Sequence, residues 1–373
     1  MEQKSVSFLD FFCEIPDHRV NRCKRHAVEE ILLVAFCGII AGCDSWDDLE
    51  LFGQTKLDYL RDYFPFKHGA PSDDTLRRFF RTLEPAVFER CFIDWVQSFQ
   101  LSLKDKVVAV DGKTSRRSVD ETSNAMHLVS AFVSELGITL GQIKTADKSN
   151  EITAIPELLS LLDIMDSVVT IDAMGCQTKI VEQIVDQKAE YLIGLKGNQG
   201  RLNKDVRLLF AQKPSAMVFK THTSLDKGHG RLETRICTVS DDIQWLREQH
   251  PHFRQLQSII EIESHREIKG DVSLEKRYYI SSLSAEPDRL LDITRQHWGV
   301  ENKLHWVLDV CFNDDQSRIR KGNAPRNMAI IKKTALNLLQ SIKKTKPRVS
   351  IKRMRKLAGW DHGFLDTILN ANL

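Results

Sequence analysis

Two segments of this chain end an apolar run on an aspartate: Val107-Val108-Ala109-Val110-Asp111 and Val168-Val169-Thr170-Ile171-Asp172. Both runs are short and rich in β-branched residues, as buried strands are. In α/β sheets, reactive groups collect at the carboxyl ends of strands, where the backbone leaves the core. If the two strands run side by side and parallel, Asp111 and Asp172 become neighbours. Carboxylates that close repel each other unless a proton or a cation neutralises them. Mg2+ or Mn2+, which bind through oxygen, suit that task. A plainer alternative stays open, because an Asp-Gly pair such as Asp111-Gly112 also begins ordinary turns.

A third acid would have to reach the same place from elsewhere. Glu301 lies in Arg295-Gln296-His297-Trp298-Gly299-Val300-Glu301-Asn302-Lys303-Leu304-His305-Trp306. His297, Glu301 and His305 are four apart, which puts them on one face of a helix. Such a His-Glu-His row can also hold zinc, although no further Cys or His stands at ligand spacing. Asp309, Asp314 and Asp315 are reserve candidates for the third acid.

The elements that would position these residues follow from periodicity. The first hundred residues read as helical, with one apolar helix over Val28 to Gly42 and a second over Trp46 to Phe64. Ser72 caps a further helix that carries Arg77, Arg78 and Arg81 beside Leu76, Phe79 and Phe80. That helix fits a DNA-recognition element or an amphipathic helix with solvated arginines. From Lys106 the texture turns to strands over Val107–Val110, Leu128–Val133 and Ile138–Ile143, the last two joined near Gly137. A helix (Thr153–Leu162), strand (Val168–Ile171), helix (Lys179–Gln187) and strand (Tyr191–Leu195) follow, so the fold class is α/β with a mixed sheet. Gly200 to Leu283 reads as an inserted β module, with strands over Thr234–Val239, Ser258–Glu263 and Lys276–Ser282. Pro287 then opens a long helix running through Trp306.

Composition bounds the possibilities. Hydrophobic content of 42% and charged content of 28% across 373 residues are ordinary for a soluble globular chain. The longest apolar run, Ile31 to Gly42, falls short of the roughly 20 residues needed to span a bilayer. No membrane partner is expected. Eight cysteines are scattered without a C-x-x-C pair, which fits free thiols in a reducing cytoplasm. The net charge of +2 conceals an asymmetry: between Gln316 and Trp360 there are 14 basic residues and no acid, which leaves about −12 for the rest. That run fits a surface for a polyanion such as duplex DNA or a solvated basic tail.

Four motifs together resemble one family. They are the stretch Asp111-Gly112-Lys113-Thr114 after its strand, Asp172-Ala173-Met174-Gly175-Cys176-Gln177 after its own, Tyr191 to Gln199 (YLIGLKGNQ), and His297-Trp298-Gly299-Val300-Glu301-Asn302. With His229-Gly230-Arg231-Leu232-Glu233-Thr234-Arg235 in the insertion, they resemble the insertion-sequence DDE transposases of the H-repeat-associated branch, over nearly the whole chain. The resemblance implies an RNase H-like mixed sheet flanked by helices, a β-rich insertion, and a D-D-E triad of Asp111, Asp172 and Glu301 holding two Mg2+ (or Mn2+) ions. It implies cleavage and strand transfer at the terminal inverted repeats of an element and into target DNA, by a dimer on double-stranded DNA, in a nucleoid-associated cytoplasmic setting.

On this reading the regions are 1–104 (helical, DNA-binding), 105–199 (first part of the core), 200–284 (insertion), 285–344 (Glu-bearing helix and basic helix) and 345–373 (basic tail). Lys113, Lys196, Arg231, Arg318 and Arg320 are candidate phosphate contacts, which position DNA without reading its sequence. His297, Asn302 and His305 would support the acids or touch DNA, and Arg77, Arg78 and Arg81 would read the repeats. Related families often carry Y-x-x-R-x-x-x-E-x-x-x-x-x-x-K around the glutamate. Here Thr294, His297 and Leu308 replace its Tyr, Arg and Lys, so no DNA-hairpin step is carried over. A silent DNA-binding descendant, and an RNase H-like nuclease that cuts without joining, are the rival readings.

Overall fold

The computed structural model of the chain describes residues 7–13, 15–17, 19, 24–119, 124–145, 151–228, 231–268 and 271–373. Its first part is helical: α1 (Ser7–Cys13), α2 (Val28–Ala41), α3 (Trp46–Thr55), α4 (Leu57–Leu60), α5 (Asp73–Thr82) and α6 (Pro85–Gln97). Helix α2 is apolar almost all round and buried almost throughout, so it is a core helix. The helix expected over Trp46 to Phe64 is broken at Lys56, where α3 ends and the short α4 begins. Ser72 caps α5 by accepting from the Thr75 N–H, as the sequence implied.

Nine strands form one sheet in the order β3-β2-β1-β4-β5-β9-β8-β7-β6. They are β1 (Val107–Ser115), β2 (Met126–Val133), β3 (Ile138–Lys144), β4 (Val168–Ile171), β5 (Glu190–Leu195), β6 (Lys220–Gly228), β7 (Arg231–Ser240), β8 (Ser258–Ile268) and β9 (Asp271–Ser281). Strands β1, β2 and β3 form an antiparallel meander, while β1, β4 and β5 run parallel. The crossovers that parallel pairing requires contain α7 (Glu151–Ser160) and α8 (Thr178–Asp186). This mixed α/β core behind a set of N-terminal helices is consistent with an RNase H-like fold.

The segment 200–283 departs from the all-β expectation. Its first thirteen residues form α9 (Gly200–Gln212), a further helix α10 (Gln244–Gln249) lies between β7 and β8, and β6 precedes the three expected strands. The four long strands are not a separate module, since β9 pairs antiparallel with β5 and extends the core sheet.

The helix opened by Pro287 is also interrupted. Helix α11 (Pro287–His297) ends before a π-helical turn over Val300–His305, and α12 (Trp306–Phe312) continues from it. The wide turn shows in the Trp306 N–H, which donates to the Glu301 carbonyl five residues back. Close contact holds the turn in place. Ser134 Oγ donates to the Gln296 carbonyl (2.6 Å) and Lys303 Nζ to the Ser134 carbonyl (2.9 Å). A Cβ on Gly299 would stand 2.7 Å from Ser134 Oγ, so glycine is what lets this turn meet the end of β2.

Beyond it, α13 (Ala324–Thr345), α14 (Ile351–Trp360) and α15 (His362–Leu369) return to the N-terminal helices. The last 29 positions are therefore not a solvated tail. Ile351, Met354, Phe364, Leu365 and Ile368 are buried. Arg355 is buried with them, donating to the Ile39 and Cys43 carbonyls at the end of α2 and stacking over Phe312 at 4.3 Å. Among the described residues, no helix is long and apolar enough to cross a membrane.

Candidate active site

Pairing of β1 with β4 sets Val110 opposite Ile171, so the next residue on each strand, Asp111 and Asp172, emerges at the same end of the sheet. Strand β4 stops there. Asp172 caps a short 3-10 turn, accepting from the Met174 N–H at 2.9 Å. Asp111 remains within β1, which runs on against β2. The π-helical turn brings Glu301 to the same point, and one cavity is lined by Asp111, Asp172 and Glu301 together.

Carboxylate oxygens of Asp111 and Glu301 and a ring nitrogen of His305 all lie within 4.8 Å of one another. His305 Nδ1 is 3.1 Å from Glu301 and 3.6 Å from Asp111. Burial, reinforced by the charges of Glu151, Asp172 and Glu301, pushes the Asp111 carboxyl up to about 7 against a lowering hydrogen bond from the Gly112 backbone. Burial also lowers His305 to about 4, against the raising hydrogen bond of Glu301. The His305 ring is therefore neutral near pH 7 and leaves the acids without a protein cation between them. Acids crowded this way fit a divalent metal.

Glu151, at the start of α7, was not foreseen. It pairs with His127 of β2 directly above Gly112, where any Cβ would collide with both side chains. His127 Nδ1 is in turn 2.8 Å from Thr114 Oγ1. Nothing in the local sequence marks Glu151, because its role depends on the packing of α7 against the meander. Arg207 and Arg277 also line the cavity, and Arg277 lies 4.7 Å over the exposed ring of Trp298. They hide in an unrecognised helix and an alternating strand.

The remaining expected residues divide. Lys196 lines the cavity, and so does His297, whose Nδ1 is 3.0 Å from Thr170 Oγ1. His297 thus ties the end of α11 to β4 and does not join Glu301 and His305 in a zinc-like row. Asn302 turns its amide back to the Trp298 carbonyl and borders the adjoining cleft. Lys113 does not face the cavity. It bonds Asp309 (2.7 and 2.8 Å) and Asp315 (3.4 Å), so those reserve acids are taken up as well. Asp314 pairs with Lys332 at 2.9 Å. Arg77 pairs with Asp73 and Arg78 with Asp74 along α5, while Arg81 is exposed and packs beside Gly322. Arg318 is exposed, and Arg320 donates to the Arg117 carbonyl. His229, Gly230 and the Arg231 side chain lie outside the described residues.

The basic run is only partly a surface. Arg326 pairs with Glu89, Lys332 with Asp314, Lys333 donates to Ser130 and Gln142, Lys343 to the Pro347 and Val349 carbonyls, and Arg355 to α2. The other nine of the 14 are exposed. Helix α13, read as a basic helix, is mostly buried.

Comparison with known proteins bears on what such a site does. The transposase DDE domain family matches residues 102–338, and the DDE_Tnp_1-associated family matches residues 9–96. The chain is 41% identical to "Putative transposase YncI" of Escherichia coli O157:H7, over 97% of this chain and 94% of that protein. It is 40% identical to "H repeat-associated putative transposase YhhI" of Escherichia coli K12, over 99% and 98%. Among solved structures, a piggyBac transposase synaptic complex with hairpin DNA aligns with a TM-score of 0.46 at 11% identity, covering 98% of this chain and 77% of that one. Likeness to transposases and the acidic cluster with its histidine together support DDE-type nuclease activity in general. The chain belongs to the H-repeat-associated family of DDE transposases.

Proposed function

We propose that the protein is an insertion-sequence transposase that cuts DNA at the terminal repeats of its element and joins the ends to target DNA. The observation that carries this reading is the convergence of Asp111, Asp172 and Glu301, from two adjacent strands and a π-helical turn, on one cavity. Asp111, Asp172 and Glu301 would hold the divalent metal, Mg2+ or Mn2+. When bound, the metal supplies charge neutralisation at the phosphodiester and acidifies the attacking water or 3′-hydroxyl.

The protein's own part is positioning. Lys196, Arg207 and Arg277 line the cavity, Arg277 paired with Glu275, which supports a role for these cations in holding a phosphate backbone against the acids. The π-helical turn, pinned to Ser134, fixes Glu301 relative to Asp111, and His297 fixes α11 to β4. The exposed lysines and arginines near the C-terminus extend the DNA-binding surface. Recognition of the repeats falls to the helical region 1–104, with Arg77, Arg78 and Arg81 the foremost candidates. Pairing of two ends calls for a dimer on DNA, in the cytoplasm beside the nucleoid.

The test is to incubate purified protein with Mn2+ and the genomic DNA that flanks its own coding sequence. Nicks at discrete positions and joined products are expected, both lost in Asp111→Asn and Asp172→Asn while DNA binding persists. Cleavage without joined product would reduce the protein to a nuclease. Cleavage retained in both variants would remove the triad.

A further inference from the structure

We infer that Asn198 and Gln199 are positioning residues for Asp172, holding the turn that presents its carboxylate to the cavity. This rests on the metal-dependent reading above, and gives a task to the polar end of the YLIGLKGNQ stretch, whose Asn198 and Gln199 that reading leaves idle.

Asp172 stands where the chain has little of its own to hold it. Strand β4 ends at Ile171, and the next residues form a 3-10 turn of only three residues, Ala173–Gly175, with Met174 exposed at its tip. Asp172 Oδ1 accepts from the Met174 and Gly175 N–H groups at 2.9 and 3.4 Å. The direction of the carboxylate is therefore set by where those two amides lie. The backbone bonds that close the turn, from the Gly175 N–H to the Asp172 carbonyl and from the Cys176 N–H to the Ala173 carbonyl, are 3.2 and 3.3 Å, at the long end of the range.

Shorter bonds reach the turn from outside. Asn198 Nδ2 donates to the Ala173 carbonyl and Gln199 Nε2 to the Cys176 carbonyl, each at 2.6 Å. The two carbonyls bracket the turn, so both of its ends are pinned to the loop that follows β5. Strand β5 is itself a firm support, buried along most of its length and paired with β4 and β9. Its Gly194 lies so close to the turn that a Cβ would stand 3.0 Å from the Ala173 nitrogen. Glycine lets β5 approach, and the two amides then reach across. A side-chain amide suits the task because it donates without carrying charge; a lysine or arginine there would set a competing cation beside Asp172. Neither Asn198 nor Gln199 lines the cavity, so both act through Asp172. Outer partners that orient a metal-binding side chain in this way govern how tightly the ion is held.

The experiment is Mn2+ titration of the full-length protein, with the bound ion read by electron paramagnetic resonance and folding checked by urea unfolding. In Asn198→Leu and Gln199→Met, which keep size and neutrality but lose the donor, the Mn2+ dissociation constant is expected to rise by roughly 10–100-fold. Asn198→Ser is the milder variant should an apolar side chain upset folding, and it should shift the constant in the same direction. Gln187→Met is the control. Gln187 donates to the Leu159 and Leu162 carbonyls at 2.9 and 3.2 Å, at the far end of α8 from Asp172, so its loss should lower the urea midpoint and leave Mn2+ affinity unchanged. Weakening as large in Gln187→Met, or unchanged affinity in all the Asn198 and Gln199 variants while Asp172→Asn loses the ion, would overturn the inference and leave the transposase reading standing. Absence of any Asp172-dependent Mn2+ binding would overturn both.

Discussion

Two clusters of acids lie close together in this protein and meet opposite fates. Asp309, Asp314 and Asp315 face Lys113 and Lys332, so each carboxylate has a built-in cation. Asp111 and Glu301, on the same strand and helical segment, face each other across the neutral His305. The contrast shows in the proton affinities of Asp314 and Asp111, although burial raises Asp309 of the first cluster too. Burial works against the charged form of Asp314, yet Lys332 holds it below the ordinary carboxylate value. Burial and neighbouring acids drive Asp111 the other way, up to about 7. One cluster is neutralised by the chain and serves the fold. The other stays unneutralised and can receive a cation from outside.

The comparison is open to direct attack, beginning with the largest effect. Asp111→Asn should lower metal-dependent DNA cleavage by at least about 1,000-fold, as loss of a group acting mainly in the transition state does; single-turnover nicking checks it. Asp314→Asn should do something different, destabilising the protein by about 3–5 kcal/mol in urea unfolding because Lys332 is left buried and unpaired. The same technique should find Asp111→Asn stabilising. Its folded value near 7 lies above the ordinary 3.8, so the native state keeps a proton that the unfolded state releases between about pH 4 and 7. Wild-type stability then falls as pH rises through that window and stays low above it. Asp111→Asn removes the fall, a gain of up to about 4 kcal/mol at pH 8 in metal-free buffer and none below pH 4.

The smallest expected effect concerns the basic run. Arg348→Ala or Lys352→Ala, both exposed, should each reduce the salt dependence of DNA binding by about one unit of slope if the residue touches a phosphate. Lys333→Met should leave that slope unchanged, because Lys333 is buried against Ser130 and Gln142.

Much of the site was legible in the sequence, for reasons the structure makes plain. A buried parallel strand must be apolar on both faces, so Val107–Val110 and Val168–Ile171 stood out, and the aspartates after them marked the points where the strands leave the core. Ser72 and the Gly137 turn, with its φ of +73°, followed from local chemistry. Strand β6 was hidden because nearly all its residues are exposed, leaving no apolar alternation to read. The π-helical turn was hidden because Ser134 and Gly299, far apart in sequence, impose it. The basic run misled for a related reason: charge along a chain does not say which residues face inward. Lys332, Lys333 and Arg355 lie on the inner faces of α13 and α14, and only tertiary partners make that tolerable.

The central claim is that the acids around Asp111 await a metal, and urea unfolding at pH 8 with and without Mn2+ tests it most directly. The account predicts that Mn2+ at about 100 times its dissociation constant stabilises the wild type by roughly 2.7 kcal/mol and leaves Asp111→Asn unmoved. Equal stabilisation of the two proteins, or none in the wild type, would contradict it.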